Sequence, residues 1–310
     1  MKILILGYSD LAIRRLIPAI KKIKNVKFDV ASRSKMEEKT GHDKWYRDYN
    51  RGIKSTDAKI IYISLVNSKH YKYALKSLKQ NKNVIIDKPF TLSHKQTIKL
   101  LNLAKKKKLL ISQAIVFNYH RQFNLIKKII KNNRILIDKI VMEFCIPRPK
   151  KNNFKLSKKL GGGCFNDMMP YVAAVNRFFL VDKFKYSKLI MKNSNKLNES
   201  FSVNTCTKKT EFFGLFSHNS EYKNNITFFS KLYTIDLSRF SAPPPEIDLI
   251  VKYKKKNKLK NILVKKDDTF KNFLYEYLKI LKRKKITYYH NQIKKDSKFI
   301  EMLYKRKAIL

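Results

Sequence analysis

The sequence predicts an α/β protein of two domains, a doubly wound domain with a parallel sheet over residues 1–120 and an α+β domain with a mostly antiparallel sheet over residues 121–310. Three observations carry that prediction. Short unbroken apolar runs alternate with helical periodicity over the first part, the pattern of strands buried on both faces and joined by crossover helices. The period then changes to two: in residues 140–146, Ile140, Met142, Phe144 and Ile146 share one face, with Val141, Glu143 and Cys145 on the other. Finally, three of the seven glycines stand together at 161–163 and run straight into an apolar stretch of helical period.

A chain of 310 residues can bury two cores, and 44% hydrophobic with 12% aromatic residues argue against disorder. The three cysteines, Cys145, Cys164 and Cys206, form no C-x-x-C pair, so a disulfide framework or a zinc site is not expected and a reducing compartment fits. Residues 1–6 are too short an apolar run for a signal peptide, and no later stretch is long and uncharged enough to span a membrane; a cytoplasmic protein is expected. The net charge of +47 would suit a polyanion partner. The excess, however, is nearly all lysine spread along the chain, not the arginine forks that read bases and phosphates. It reads as lysine on every solvated face, with non-specific, salt-sensitive polyanion binding as a side effect and no specific nucleic-acid site.

In chain order, residues 2–6 form a buried strand and residues 12–23 a helix, with Leu11, Ile13, Leu16, Ile17 and Ile20 in period. The turn between them, Gly7-Tyr8-Ser9-Asp10-Leu11-Ala12, matches the dinucleotide-binding fingerprint G-x-G-x-x-G/A at Gly7 and Ala12, with Ser9 in the second glycine's place. The second strand, residues 27–31, ends in Ser32-Arg33-Ser34-Lys35. No acid stands there for a ribose 2′-hydroxyl; two hydroxyls and two cations suit a 2′-phosphate, so NADP is expected, with NAD as the alternative. Residues 41–49, which hold the only tryptophan, Trp45, read as a connecting loop. A strand over 60–65 and a helix to about Gln80 follow, with Val66-Asn67-Ser68-Lys69-His70 at their junction; Asn67 suits a helix cap and His70 a positioning role.

Val84, Ile85 and Ile86 form a strand that stops at Asp87-Lys88-Pro89, because proline cannot donate to a ladder. Ligands of open α/β sheets lie outside the carboxyl ends of the strands, which is where Asp87 and Lys88 fall. Ser93 caps a helix through Lys106, residues 109–116 form a further strand, and the chain leaves the first domain through Phe117-Asn118-Tyr119-His120-Arg121. Beyond it, alternating runs at 186–192, 201–207, 211–217, 225–229, 233–237 and 247–253 describe the antiparallel sheet, and amphipathic helices at 270–281 and 292–304 close the chain. Ahead of that sheet stands Leu160-Gly161-Gly162-Gly163-Cys164-Phe165-Asn166-Asp167-Met168-Met169-Pro170-Tyr171. The glycines permit positive φ and close backbone approach, and a helix from there sets Asp167 and Tyr171, four apart, on one face.

Asp87-Lys88-Pro89 after an apolar strand resembles the Glu-Lys-Pro signature of the Gfo/Idh/MocA oxidoreductases, NAD(P)-dependent enzymes acting mostly on sugars and cyclitols. The 161–171 stretch is similar to that family's Gly-Gly-Gly-x-Leu-x-Asp-x-Gly-x-His, with Asp167 and Tyr171 on its Asp and His. Asn67 and His70 match its Pro-Asn-x-x-His, and His120 stands at the arginine of its Phe-Asn-x-Arg. Val66 for proline, Met169 for glycine and Ala174 for an acid are departures. The tyrosine at 171 resembles relatives of glucose-fructose oxidoreductase and nucleotide-sugar 3-ketoreductases.

The resemblance covers about residues 1–281 and implies an N-terminal Rossmann domain. It implies NAD(P) held by Gly7, Ser9, Asp10, Leu11, Ala12, Ser32, Arg33, Ser64, Leu65, Asn67, His70, Asp87 and Lys88. It further implies hydride transfer to or from a carbinol or keto carbon of a sugar or nucleotide sugar, as in surface glycan biosynthesis, with no metal. Tyr171 would be the general acid or base, Lys88 would polarise the same oxygen, Asp167 would bind neighbouring hydroxyls and His120 would be an outer substrate contact. Relatives commonly pair sheet to sheet, which implies a homo-oligomer with Phe212, Phe216 and Phe228 as candidates for apolar cover. The rival readings are a basic polyanion-binding protein on the same scaffold and a cofactor binder without catalysis.

Overall fold

The apolar runs of the N-terminal part assemble into one six-stranded sheet. The computed structural model describes residues 1–34, 41–180, 182–194 and 197–310. Strands β1 (Lys2–Leu6), β2 (Lys27–Ala31), β3 (Trp45–Tyr46), β4 (Ile60–Ile63), β5 (Asn83–Ile86) and β6 (Ile111–Gln113) stand in the order β3-β2-β1-β4-β5-β6. All their pairings are parallel, and Leu4, for example, lies between Asp29 and Ile61. Every side chain from Ile3 to Leu6, from Ile60 to Ile63 and from Val84 to Ile86 is fully buried, which is why these strands read as unbroken apolar runs. The strand order reverses between β1 and β4, and their carboxyl ends flank the crevice where such sheets take ligands.

Between β1 and β2 the chain makes a wide helical stretch, Ala12–Leu16, and then helix α1 (Ile17–Lys21), with Pro18 in its first turn, where a missing N–H does little harm. Helix α2 (Tyr49–Ser55) is capped by Asp48, whose carboxylate accepts from Arg51 N at 2.8 Å. Helix α3 (His70–Lys79) follows β4. Helix α4 (His94–Lys106) is capped by Ser93 as expected, its hydroxyl accepting from Gln96 N at 3.3 Å. The stretch expected to be a loop at 41–49 holds β3, which adds an edge strand beside β2. Two residues are too short a strand to leave a period in the sequence.

The chain divides into two compact units, Met1–Ala114 with Phe270–Ser297, and Ile115–Thr269 with Lys298–Leu310. This differs from a single boundary after residue 120, because helix α7 (Thr269–Lys282) returns to the first unit. Phe273, Leu274 and Tyr277 are fully buried, Tyr277 donates to Leu110 O at 3.1 Å beside β6, and the Arg15 guanidinium lies 5.4 Å from the centre of the Phe270 ring. An amphipathic pattern announces a buried face without saying which core receives it.

The second unit is built on strands β7 (Lys139–Cys145), β8 (Tyr186–Ser194), β9 (Leu197–Cys206), β10 (Glu211–Ser217), β11 (Lys223–Phe229), β12 (Tyr233–Ser238), β13 (Leu249–Lys255), β14 (Lys258–Val264) and β15 (Lys307–Ile309). Their order is β14-β13-β12-β11-β7-β10-β9-β8-β15, antiparallel except where β10 meets β7 and β15 meets β8. Helices α5 (Arg121–Asn132) and α6 (Cys164–Phe179) belong to this unit, and helix α8 (His290–Lys305) is divided between the two units at Ser297. Phe212, Phe216 and Phe228 point into the core with Ile140 and Met142, which corrects the expectation that they cover a partner's sheet. Register instead places Phe213, Leu215 and Phe229 on the opposite face with Val141, Thr227 and Asp236. Among the described residues, no helix is long and apolar enough to cross a membrane.

Candidate functional site

The carboxyl ends of β1, β2, β4 and β5 carry the residues that the sequence singles out in the first unit. Gly7, at φ +97°, donates its N–H to Ala31 O at 2.9 Å. A Cβ there would lie 2.3 Å from Ser64 O and 2.8 Å from Leu65 Cδ2, so the turn after β1 passes the end of β4 closer than any side chain allows. Ser9, in the second glycine's place, uses its hydroxyl twice. It accepts Ala12 N–H at 3.1 Å and lies 2.7 Å from Ser64 Oγ. Ser64 donates to Asp87 Oδ2 at 2.7 Å, and Tyr62 donates to Asp87 Oδ1 at 2.5 Å. A hydroxyl has one proton, so the order is fixed: Ala12 N–H to Ser9, Ser9 to Ser64, Ser64 to Asp87. One chain of hydrogen bonds thus joins the helix opening to the ends of β4 and β5.

Asp10 is exposed and paired with Arg14, Leu11 is half-buried, and Ala12 is fully buried. After β2, Ser32 donates its N–H to Tyr46 O at 2.9 Å and its Oγ lies 2.7 Å from Ser34 Oγ. Arg33 is exposed, its guanidinium 5.8 Å from the centre of the Tyr49 ring. Lys35, the second cation expected at this edge, lies outside the described residues.

Asp87 is buried, and burial raises its carboxyl pKa against the Tyr62 and Ser64 hydrogen bonds and the nearby His70 and Lys88, which lower it. Tyr62, buried against that carboxylate, is pushed well above the ordinary phenol value. His70 is fully buried at the start of α3, with Nδ1 2.7 Å from Pro89 O and Nε2 2.9 Å from Leu65 O. Burial lowers its pKa and Lys88 adds to that, while the two carbonyls and Asp87 oppose it. The ring ties the segment around half-buried Lys88 to the loop after β4. Asn67 opens a short 3₁₀ turn, Asn67–Lys69, and α3 begins without a side-chain cap. The expected cap is therefore not made, because the turn sets Asn67 three residues ahead of the helix.

In the second unit the three glycines admit backbone. Gly161 and Gly163 have φ of +79° and +98°, and a Cβ on Gly162 would lie 2.4 Å from Lys155 O and 2.6 Å from Phe154 O. The close pass brings Lys155 to the first turn of α6, where its Nζ lies 2.8 Å from Asp167 Oδ2. His218 Nε2 lies 3.0 Å from the same oxygen. Asn166 Nδ2 donates to Gly161 O and Gly162 O at 3.2 and 3.1 Å, fastening the glycine turn to the helix. Tyr171, one turn beyond Asp167, is mostly buried, its ring centre 5.7 Å from that of Phe144 and 6.1 Å from that of Phe117. Met169 and Ala174, the two departures on this helix, are fully buried in the core.

His120 is also fully buried, and its Nδ1 accepts Gln122 N–H at 3.1 Å to cap α5. Tyr62, Lys155 and His218 are the neighbours that the sequence reading does not single out. A tyrosine within the otherwise aliphatic run of β4 is the one signal among them; Lys155 is one cation of 70, and His218 only follows a strand. Among the described residues there is no cluster of three or more His, Cys, Asp or Glu side chains that could hold a metal ion.

Residues 2–115 match the Gfo/Idh/MocA oxidoreductase family with its NAD-binding Rossmann fold. Over 187 residues the chain is 26% identical to a dTDP-3,4-didehydro-2,6-dideoxy-alpha-D-glucose 3-reductase of Saccharopolyspora spinosa, a match covering 58% of this chain and 56% of that enzyme. A reductase of the same name from Streptomyces violaceoruber is 24% identical over 177 residues, or 55% of this chain and 52% of the enzyme. The chain thus matches little more than half the length of either reductase. The fold is that of a 3-ketoreductase from Actinomadura kijaniata, solved in complex with NADP and TDP-benzene. The TM-score is 0.92 at 18% identity, over 100% of this chain and 98% of that one.

The turn after β1 generates a stability prediction. Positive φ and the Ser64 carbonyl both resist a side chain at Gly7, so Gly7→Ala should lower the unfolding free energy by more than about 1 kcal/mol in urea denaturation. Gly41→Ala, at φ +71° but facing only the flexible Lys21 side chain, should cost less. Equal losses for the two would show that the contact with Ser64 adds nothing.

Proposed function

We propose, on the match of residues 2–115 to the Gfo/Idh/MocA oxidoreductase family, that the chain is an NADP-dependent oxidoreductase acting on the keto or carbinol carbon of a nucleotide sugar. The observation that carries this reading is the hydrogen-bonded chain from Ala12 through Ser9 and Ser64 to Asp87, with Lys88 next in sequence, at the carboxyl ends of β1, β4 and β5. Those residues fit a dinucleotide. Gly7 leaves no Cβ at the turn, and the end of β2 offers Ser32 and exposed Arg33 to a 2′-phosphate. The names of the related reductases, and the TDP-benzene bound by the similar ketoreductase, support a nucleotide-linked keto sugar and the direction of reduction.

A bound nicotinamide supplies the hydride that a keto carbon takes up. Everything else falls to side chains of this protein. Lys88 donates a hydrogen bond to the oxygen on the reacting carbon and stabilises the negative charge that grows there. Tyr171 carries the second unit's hydroxyl that can give substrate a proton in reduction and take one back in oxidation. Lys155 and His218 both lie against Asp167 Oδ2; a carboxylate can accept about four hydrogen bonds, and we assign it a sugar hydroxyl as well. His120 is assigned to the cap of α5 rather than to substrate.

We also assign the outer face of the second unit's sheet to association with another copy. Leu215, Phe229, Ile250 and Leu263 are exposed strand residues outside the core, with Ile250 and Leu263 paired across β13 and β14. Sedimentation at micromolar concentration and moderate salt should show more than one copy; a monomer would end this assignment.

Cofactor choice and chemistry can be tested separately. Arg33→Ala should weaken NADPH binding by about 1.5–3 kcal/mol and leave NADH binding nearly unchanged, and equal loss for both would remove Arg33 from the 2′-phosphate. With a TDP-linked keto sugar as substrate, Tyr171→Phe and Lys88→Met should each cost turnover about 10²–10⁴-fold with NADPH affinity less affected. Near-normal turnover by Tyr171→Phe would take Tyr171 out of proton transfer.

A further inference from the structure

His70 is enclosed by groups that decide its protonation. Its ring is fully buried, and each nitrogen lies within hydrogen-bond range of a backbone carbonyl, 2.7 Å for Nδ1 to Pro89 O and 2.9 Å for Nε2 to Leu65 O. A carbonyl oxygen can only accept, and a neutral imidazole carries one N–H and one lone pair. The neutral ring would therefore point a lone pair at an oxygen at one end, where burial excludes water as a substitute partner. Turning the ring over would put carbon atoms at both oxygens. Only a ring that donates from both nitrogens satisfies both contacts.

We propose that His70 is an imidazolium that clamps the Lys88 segment to the loop after β4, as a positioning residue balanced by the Asp87 carboxylate. The charged groups around it come from two elements. Burial is the largest influence and by itself lowers the ring pKa; from the end of β5, Lys88 also opposes the cation and Asp87 favours it, and the two carbonyl contacts are what hold the proton against burial. From β4, Tyr62 and Ser64 each donate a proton to a different oxygen of Asp87, and that pattern suits the ionised carboxylate. Its nearest titratable neighbours in sequence are Lys69 in the 3₁₀ turn and Tyr71 and Lys72 on α3. The outcome is a buried pair of opposite charges in which two carbonyls and two hydroxyls satisfy the hydrogen-bonding atoms, the condition under which a buried pair persists. Loss of the ring proton would release one of the two carbonyls and with it part of the hold on the backbone that carries Lys88. The catalytic weight of that hold rests on the role given to Lys88 above; the charge state does not.

Nitrogen-15 NMR of the full chain with labelled histidine tests the charge directly, with the ring assigned by through-bond correlation in the wild-type protein. Both His70 nitrogens should carry protons at pH 7, and the ring should lose one only above the ordinary histidine value of about 6.5. A neutral tautomer at pH 7 would overturn the proposal. The amide signals of Lys88 and Leu65 should move with the same midpoint as the ring, and the movement should be absent in His70→Gln. Amide signals that stay fixed while the ring titrates would overturn the clamp. Neither readout needs cofactor or substrate, so a failure here is distinct from a failure of the proposed activity.

Discussion

A carboxylate buried at the end of a strand is costly unless its oxygens are satisfied, and Asp87 sets what can stand around it. Oδ1 takes the Tyr62 hydroxyl, which explains a tyrosine in a strand otherwise made of isoleucine. Oδ2 takes the Ser64 hydroxyl, whose oxygen then needs a donor of its own, and Ser9 supplies it. Ser9 can do so because Ala12 N–H supports its other side. The serine in the second glycine's place of the fingerprint is thus a member of the network that fixes the end of β5. A glycine there would leave Ser64 short of a partner and the helix opening without its cap.

The second unit solves a related problem with different groups. Asp167 sits in the first turn of α6, where the helix dipole favours an acid, and Lys155 and His218 share one of its oxygens. Lys155 reaches it only because Gly162 lets the 154–155 backbone pass within a distance that any Cβ would block. In both units an acid anchors the local structure next to the side chain assigned to chemistry, Lys88 directly after Asp87 and Tyr171 one helical turn after Asp167. That arrangement sets each of these side chains on a braced backbone.

Much of this was legible in the chain. Unbroken apolar runs can be buried only on two faces, so they give the parallel sheet; alternation gives the antiparallel one; and Ser93 before a periodic stretch gives a cap that the structure makes. The misses have physical causes. The two residues of β3 and the three of β15 are too short to show a period, and Lys258 and Lys260 hide β14 behind charge. Asn67 has the right chemistry for a cap, but a 3₁₀ turn intervenes. Phe212 and Phe213 are adjacent aromatics of which only one can face the core, and the choice lies in the pairing with β7 and β9. A triple glycine announces a close approach without naming the chain segment that approaches.

The charge of +47 acts through number in solvent and through position at the site. With 70 cations against 23 acids, an acid has a ready choice of partners at the surface, as Asp248 shows with Lys265 at 3.2 Å and Glu301 with Lys305 at 3.4 Å. Such pairs are exposed and contribute little individually, and salt screens the field they leave. A cationic field of that size raises the local concentration of any polyanion and so cannot select among anions. Selection has to come from groups whose geometry is held. Arg33 at the end of β2 and Lys88 after β5 are therefore informative in a way that the other lysines and arginines are not. Each stands two residues beyond the end of a strand of the buried sheet, so its backbone is held close to the packing that fixes the fold.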